Sequence, residues 1–243
     1  MTVSRFYCPE PLAGGTQVAL PEQAAHHAAK VLRLREGDAI ALFDGRGGEY
    51  AATIASIGKR EVIATLAEHH ARECESPLGI TLAQAISAGE KMDLTLQKAT
   101  ELGINAIQPL ESERSVVKLS GERAEKRAAH WQGVVISACE QCGRNRVPPV
   151  APIRRYTDWL GEAGKESRRL MLSPSATQSL RDLPAPDLPV TLLIGPEGGF
   201  SENEIAAATM CGFTPVRLGA RILRTETAAL AALAAMQALW GDF

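Results

Sequence analysis

Long apolar runs, aromatic side chains and paired cysteines are all scarce in this 243-residue chain. No apolar stretch reaches the roughly 18 residues a membrane-spanning helix needs, and the opening MTVSRFYCPE has neither the apolar core nor the cleavage pattern of a signal peptide. A cytoplasmic protein is expected. The five cysteines, Cys8, Cys74, Cys139, Cys142 and Cys211, are odd in number and scattered, in a chain too large to depend on disulfides. Cys139 and Cys142 make one C-x-x-C pair with no second pair at zinc spacing, which argues for structural thiols and no metal. Two nucleotide signatures are also missing. There is no G-x-x-x-x-G-K-S/T phosphate loop and no G-x-G-x-x-G after an apolar run, which counts against an ATPase and against a dinucleotide-dependent dehydrogenase.

The 45% hydrophobic content is enough for a real core in one or two domains. A net charge of −2 does not exclude nucleic acid, because the charge is uneven. Residues 111–155 hold nine Lys or Arg against five acids, whereas 156–243 hold seven against ten. A solvated helix face with pairs such as Glu122 and Lys126 accounts for that basic stretch as readily as an RNA contact.

Two styles of sequence follow one another. Residues 1–72 carry short β-like runs (39–43, 50–57, 61–66) separated by turn clusters, after a helical stretch in which Ala25, Ala28, Ala29 and Leu32 share a face. This predicts a small β-barrel or sandwich. Residues 71–77, ARECESP, read as a linker. From residue 78 to 243, near-continuous apolar strands (80–86, 106–110, 170–172, 190–194, 215–218) alternate with longer helices, the pattern of an α/β domain whose parallel sheet is covered on both faces.

The most informative stretch is LLIGPEGGF, residues 192–200. Ser201 and Glu204 after it form a capping box and Phe200 with Ile205 a hydrophobic staple, so GPEGG is a strand-to-helix loop. In an open parallel sheet such loops bind ligands, and glycines let a ligand approach the backbone. No lysine is present and Glu197 adds negative charge, so a neutral adenosine or a cationic ligand suits the loop better than a phosphate. A second strand-to-helix turn follows in PVRLGARILRTETAAL, with Thr225 or Thr227 as cap candidate, and a third loop at Leu172-Ser173-Pro174. The last helix, AALAALAAMQALW, lacks a polar face. It must be covered by a neighbouring helix or by a second subunit, and a homodimer is expected.

RRLMLSP, LLIGPEGGFSENEI and RLGARILRTETAALAAL together resemble the SPOUT class of S-adenosylmethionine-dependent RNA methyltransferases. With HHAAKVLRLREGD, GEKMDLTLQKATELGI and ACEQCGRNRVP, nearly the whole chain is similar to the ribosomal RNA small subunit methyltransferase E family, which methylates N3 of a uridine in 16S ribosomal RNA. The resemblance implies a PUA-like RNA-binding β-barrel at residues 1–72 and a SPOUT domain with a deep trefoil knot at 78–243, acting as a homodimer on 16S RNA of the 30S subunit. It implies a cofactor pocket from Leu172, Ser173 and Pro174, from Ile194, Gly195, Pro196, Glu197, Gly198 and Gly199, and from Leu218, Gly219, Ile222, Leu223, Arg224, Thr225 and Thr227. Backbone groups of Ile194, Gly199, Leu218 and Leu223 would read adenine.

Uracil N3 carries a proton on the Watson–Crick edge, so the base must be unpaired and the proton must leave. Glu197 and Glu226 are candidates for the base, and Arg224 for the cation that meets charge developing on O2 or O4. Glu226 has the alternative of a helix first-turn carboxylate paired with Arg224. Arg5, His26, Arg33 and Arg35 in the first domain, and Lys91, Arg144 and Arg146 in the second, are candidates for RNA phosphates. Two other functions remain open: a SPOUT enzyme acting on another RNA site such as a tRNA ribose, and a non-catalytic ribosome-assembly protein.

Overall fold

A computed structural model describes residues 3–59, 61–162 and 166–243. Its contacts divide the chain into two units, Met1–Glu75 with Ile136–Val147, and Ser76–Val135 with Pro148–Phe243.

The first unit holds a five-stranded sheet of β1 (Ser4–Tyr7), β2 (Gln17–Ala19), β3 (Ala39–Phe43), β4 (Glu49–Ile57) and β5 (Val62–His70), in the order β1-β3-β4-β5-β2. β1 runs parallel to β3 and the other pairings are antiparallel. Alternation does the packing here: Ala52 and Ile54 on β4 and Val62, Ala64 and Leu66 on β5 point into a core shared with Phe6, Ile40 and Leu42. α1 (Glu22–His26) adds Ala24 and Ala25 to that core and passes into a π turn at His27–Val31. The π turn is wider than an α turn and rotates the apolar stripe, so Leu32 ends 41% exposed. Arg33, at φ 55°, then stops the helix in a left-handed conformation.

The second unit holds β6 (Ile80–Ala85), β7 (Ala106–Glu111), β8 (Arg154–Arg155), β9 (Arg168–Leu172), β10 (Val190–Ile194) and β11 (Thr214–Val216), with every pairing parallel. The helices are α2 (Glu90–Glu101), α3 (Glu122–Cys142), α4 (Tyr156–Leu160), α5 (Glu202–Met210) and α6 (Thr225–Trp240). All five residues of β10 are buried, as a strand covered on both faces requires. One face of the sheet, through Ala83, Ala85, Met171 and Leu193, packs on Trp159 and Leu160 of α4 and Ala208 of α5. On the other lies α6, which packs against both α2 and β10. The strand order β11-β9-β10-β6-β7-β8 reverses between β6 and β10. Crevices that bind ligands open at such a reversal, beyond the carboxyl ends of the strands.

The clustering of residues 136–147 with the first unit departs from a boundary at 71–77, and its cause is polar. Arg144 is 3% exposed and grips Glu75 with Nε at 3.1 and 3.2 Å from the two carboxylate oxygens and Nη2 at 2.5 Å. Asn145 donates to Arg72 O at 2.6 Å and accepts from Arg5 Nη2 at 2.7 Å, while Glu140 accepts the Tyr7 N–H at 3.0 Å. Arg5 also pairs with Glu49 and lies over the Phe43 ring. Cys139 sits buried in this region, its thiol pushed up to about 12 by burial. Removing one partner of a buried ion pair strands the other in a poor solvent. Arg144→Ala is therefore expected to destabilise the protein by about 3 kcal/mol, read as a lower urea midpoint. A stability equal to wild type would show the pair to be dispensable.

Candidate active site

A cavity of about 400 Å³ opens beyond the carboxyl ends of β9, β10 and β11. Three loops line it, residues 172–175, 194–200 and 216–223 without 220, together with Ile205, Thr225 and Ala228. Leu172, Ser173, Pro174, Ile194 through Gly199, Leu218, Gly219, Ile222, Leu223 and Thr225 therefore come together from three distant segments. Arg224 and Thr227 are not in its wall. Arg224 is exposed as the residue before α6, and Thr227 opens onto a shallower groove with Leu218, Leu223, Ala231, Ala235 and Leu239.

The glycines of the loop have separate reasons. A Cβ on Gly195 would come within 3.2 Å of the Phe200 backbone nitrogen, so a side chain there would press the folded-back chain outward by a few tenths of an ångström. Gly199 has a φ of 65° and turns the chain into α5. The capping box is present: Glu204 N–H donates to Ser201 Oγ and Ser201 N–H to Glu204 Oε2. The second Glu204 oxygen accepts from Glu113 N–H at 2.8 Å, and Arg114 Nη1 donates to Gly198 O at 2.9 Å. The loop after β7 is thereby clamped onto the glycine loop, a contact that sequence reasoning missed because nothing local to residues 113–114 announces it.

Thr225 is not the cap of α6. Its hydroxyl donates to Gly195 O at 2.6 Å and accepts from Gln84 Nε2 at 3.1 Å, so α6 starts without a side-chain cap. Glu197 is tied down on its outer side, accepting the Ala88 N–H at 3.0 Å and Lys91 Nζ at 3.2 Å. Partial burial works to raise this carboxyl, but the hydrogen bonds from its own amide, Ala88 and Lys91 and the lysine charge outweigh it and hold the group below the usual carboxylate range. An ionised, already satisfied carboxylate is a weak proton acceptor. Glu226, in the first turn of α6, has a buried Oε2 with no hydrogen-bond partner.

The basic candidates separate into two sorts. His26, Arg33 and Arg35 are exposed in the first unit, as is Arg146, whose side chain is 59% exposed and 3.9 Å from Glu73. Arg5 and Arg144 are spent on buried structural pairs, and Lys91 is held by Glu197. Glu122 and Lys126 make the expected exposed pair at 2.6 Å.

Residues 74–237 match the family model of an RNA methyltransferase domain, and residues 20–67 that of an RNA methyltransferase PUA domain. The chain is 37% identical over 240 residues to the ribosomal RNA small subunit methyltransferase E of Buchnera aphidicola subsp. Schizaphis graminum, covering 99% of this chain and 98% of that protein. Among solved structures, it is similar to the ribosomal RNA small subunit methyltransferase E of Neisseria gonorrhoeae bound to S-adenosyl methionine (TM-score 0.93, 48% identity, 100% of both chains). A putative methyltransferase of Legionella pneumophila, solved with the same cofactor, superposes with a TM-score of 0.96 at 40% identity, again over 100% of both chains.

Thr225 joins the cavity wall to the strand beneath it, so the isosteric Thr225→Val takes the hydroxyl donor from Gly195 O and leaves Gln84 Nε2 with Ala85 O alone. The variant is expected to lose about 1–3 kcal/mol of unfolding free energy in urea. An unchanged midpoint would mean that water replaces the hydroxyl.

Proposed function

The chain belongs to the ribosomal RNA small subunit methyltransferase E family, and from that premise we propose that it transfers a methyl group from S-adenosylmethionine to N3 of a uridine in 16S RNA. The fold is that of the family, an N-terminal PUA domain followed by a SPOUT-type α/β domain. One observation carries the cofactor reading: a glycine-lined cavity beyond the strand ends, bounded by apolar side chains, with the ionised carboxylate of Glu197 in its wall beside Arg217 and Arg221. Such a wall accepts the adenosine part of the cofactor, and Glu197 offers its sulfonium a negative charge.

A volume near 400 Å³ suits a nucleoside-sized ligand. The apolar side chains of Leu172, Ile194, Leu218, Ile222 and Leu223 would enclose adenine, and backbone groups of Ile194, Gly199, Leu218 and Leu223 would read its edge. When bound, the cofactor supplies an electrophilic methyl group. The protein's task is to hold the uracil, remove its N3 proton and stabilise the resulting anion, and Arg224, exposed at the start of α6, is assigned to the charge on a ring carbonyl. RNA phosphates fall to His26, Arg33, Arg35 and Arg146, which are exposed, and not to the buried Arg5 and Arg144.

The final segments are taken to form the trefoil knot of the class. Supporting this, the stretch that leads into α6 exchanges backbone hydrogen bonds with residues 178–180 before Thr225 meets Gly195. The outer face of α6, with Ala231, Ala235 and a 47% exposed Leu239, supports a homodimer. The enzyme would work in the cytoplasm, where its substrate is assembled.

Labelled S-adenosylmethionine incubated with unmodified 30S subunits and with naked 16S RNA should yield label in 3-methyluridine after digestion. Label in a ribose-methylated nucleoside would overturn the assignment. In sedimentation, wild type should run as a dimer and Ala235→Arg as a monomer; a wild-type monomer would refute the dimer.

A further inference from the structure

Among the described residues of the second unit, three buried side-chain atoms have no hydrogen-bond partner: Gln84 Oε1, Ser87 Oγ and Glu226 Oε2. Gln84 is 1% exposed and Ser87 4%. Native proteins rarely leave such atoms orphaned, and a functional site is one of the standard reasons when they do.

Two of the three flank the start of α6, and the third lies in the turn that leads into α2. Gln84 Nε2 donates to Ala85 O at 2.9 Å and to Thr225 Oγ1 at 3.1 Å, which sets the amide head beside the first residue of α6. Glu226 is the next residue. Ser87 stands two residues before Gly89, from which α2 starts, and α2 packs against α6. Neither helix start receives a side-chain cap bond, so both present the electropositive end of a helix with amide donors to offer. The neighbourhood also adjoins the cofactor cavity. Thr225 and Glu197 are in the cavity wall, and each is held from this side, Thr225 by Gln84 and Glu197 by the Ala88 N–H at 3.0 Å.

We infer that Gln84, Ser87 and Glu226 form the seat of the target uracil, with Glu226 taking the N3 proton, Ser87 donating to a ring carbonyl, and Gln84 positioning Glu226 through Thr225. The inference rests on the uridine-N3 reading above. Uracil offers one donor, N3–H, between two carbonyl acceptors. The seat offers a carboxylate acceptor, a hydroxyl and the open amides of two helix starts.

In the reaction the N3–H bond breaks and its proton passes to Glu226 Oε2. The electron pair left on N3 forms the bond to the methyl carbon. The carbon–sulfur bond breaks with its pair going to sulfur, which becomes a neutral thioether, and the proton then leaves Glu226 for water. The developing negative charge on the ring carbonyls meets Ser87 and the helix-start amides. Cytosine is rejected by the same wall, because its N3 carries no proton and would set a lone pair against a carboxylate. Glu197 is the poorer base, since both Ala88 and Lys91 already donate to it.

The test uses full-length protein and an RNA fragment carrying the target site, with single-turnover methyl transfer at saturating cofactor. Glu226→Gln should slow transfer to uridine about 100-fold or more. With 5-fluorouridine at the target, whose N3 is more acidic, the deficit should shrink by about tenfold or more. Cofactor affinity measured by calorimetry should stay at the wild-type value. Transfer by Glu226→Gln close to the wild-type rate, or an equal deficit on both bases, would overturn the role of Glu226.

Ser87→Ala provides a readout free of chemistry. In the presence of S-adenosylhomocysteine it should bind the uridine RNA about tenfold more weakly and an RNA abasic at the target as wild type does. Equal affinities for both RNAs relative to wild type, or an equal loss on both, would overturn the seat, and this arm decides the matter if Glu226→Gln fails to fold. Wild type that forms no 3-methyluridine would instead remove the uridine-N3 reading itself.

Discussion

The hydroxyl of Thr225 is the joint on which the second unit's chemistry depends. It donates to Gly195 O at the end of β10 and accepts from Gln84 on β6, so one side chain fastens the start of α6 to two neighbouring strands of the sheet. The N-cap position is Arg224, whose side chain makes no cap bond, so α6 begins uncapped, with its amides and Glu226 left for other partners. The cavity wall and the seat assigned to the target base are two sides of the same joint. A threonine that capped its own helix would have stabilised α6 and closed off one of them.

The charges around this joint are mostly paired or fixed. Glu197 is held ionised by Lys91 and the Ala88 amide, which leaves it a poor proton acceptor. In the first unit, Arg144, Glu75, Arg5 and Asn145 bury their polarity against each other, which holds residues 136–147 to the β-sheet unit.

Much of this was legible in the sequence because it is local. The apolar run of β10, broken only by Thr191, and the alternation in β4 and β5 specify their strands, and Ser201 with Glu204 specifies the start of α5. The cavity loops were legible as turns after apolar strands, one of them rich in glycine. What escaped is non-local. The edge strands β1, β2 and β8, of four, three and two residues, are too short to show a period and exist only because a partner strand pairs them. Arg5 and Arg144 look like phosphate ligands until their carboxylate partners, distant in sequence, are seen. Thr225 reads as a cap because its competing acceptor is thirty residues away. Gln84 left a trace, a polar residue inside the apolar run ITLAQAI, and local misfits of that kind mark sites where packing has been traded for function.

The most direct test is a crystal structure of the protein with S-adenosylhomocysteine and a short RNA containing the target uridine. The account predicts the nucleoside in the cavity bounded by Leu172, Ile194 and Leu223, and the uracil between the starts of α2 and α6, with N3 facing Glu226 and a carbonyl on Ser87. A uracil bound elsewhere, with Gln84, Ser87 and Glu226 still unpartnered, would contradict it.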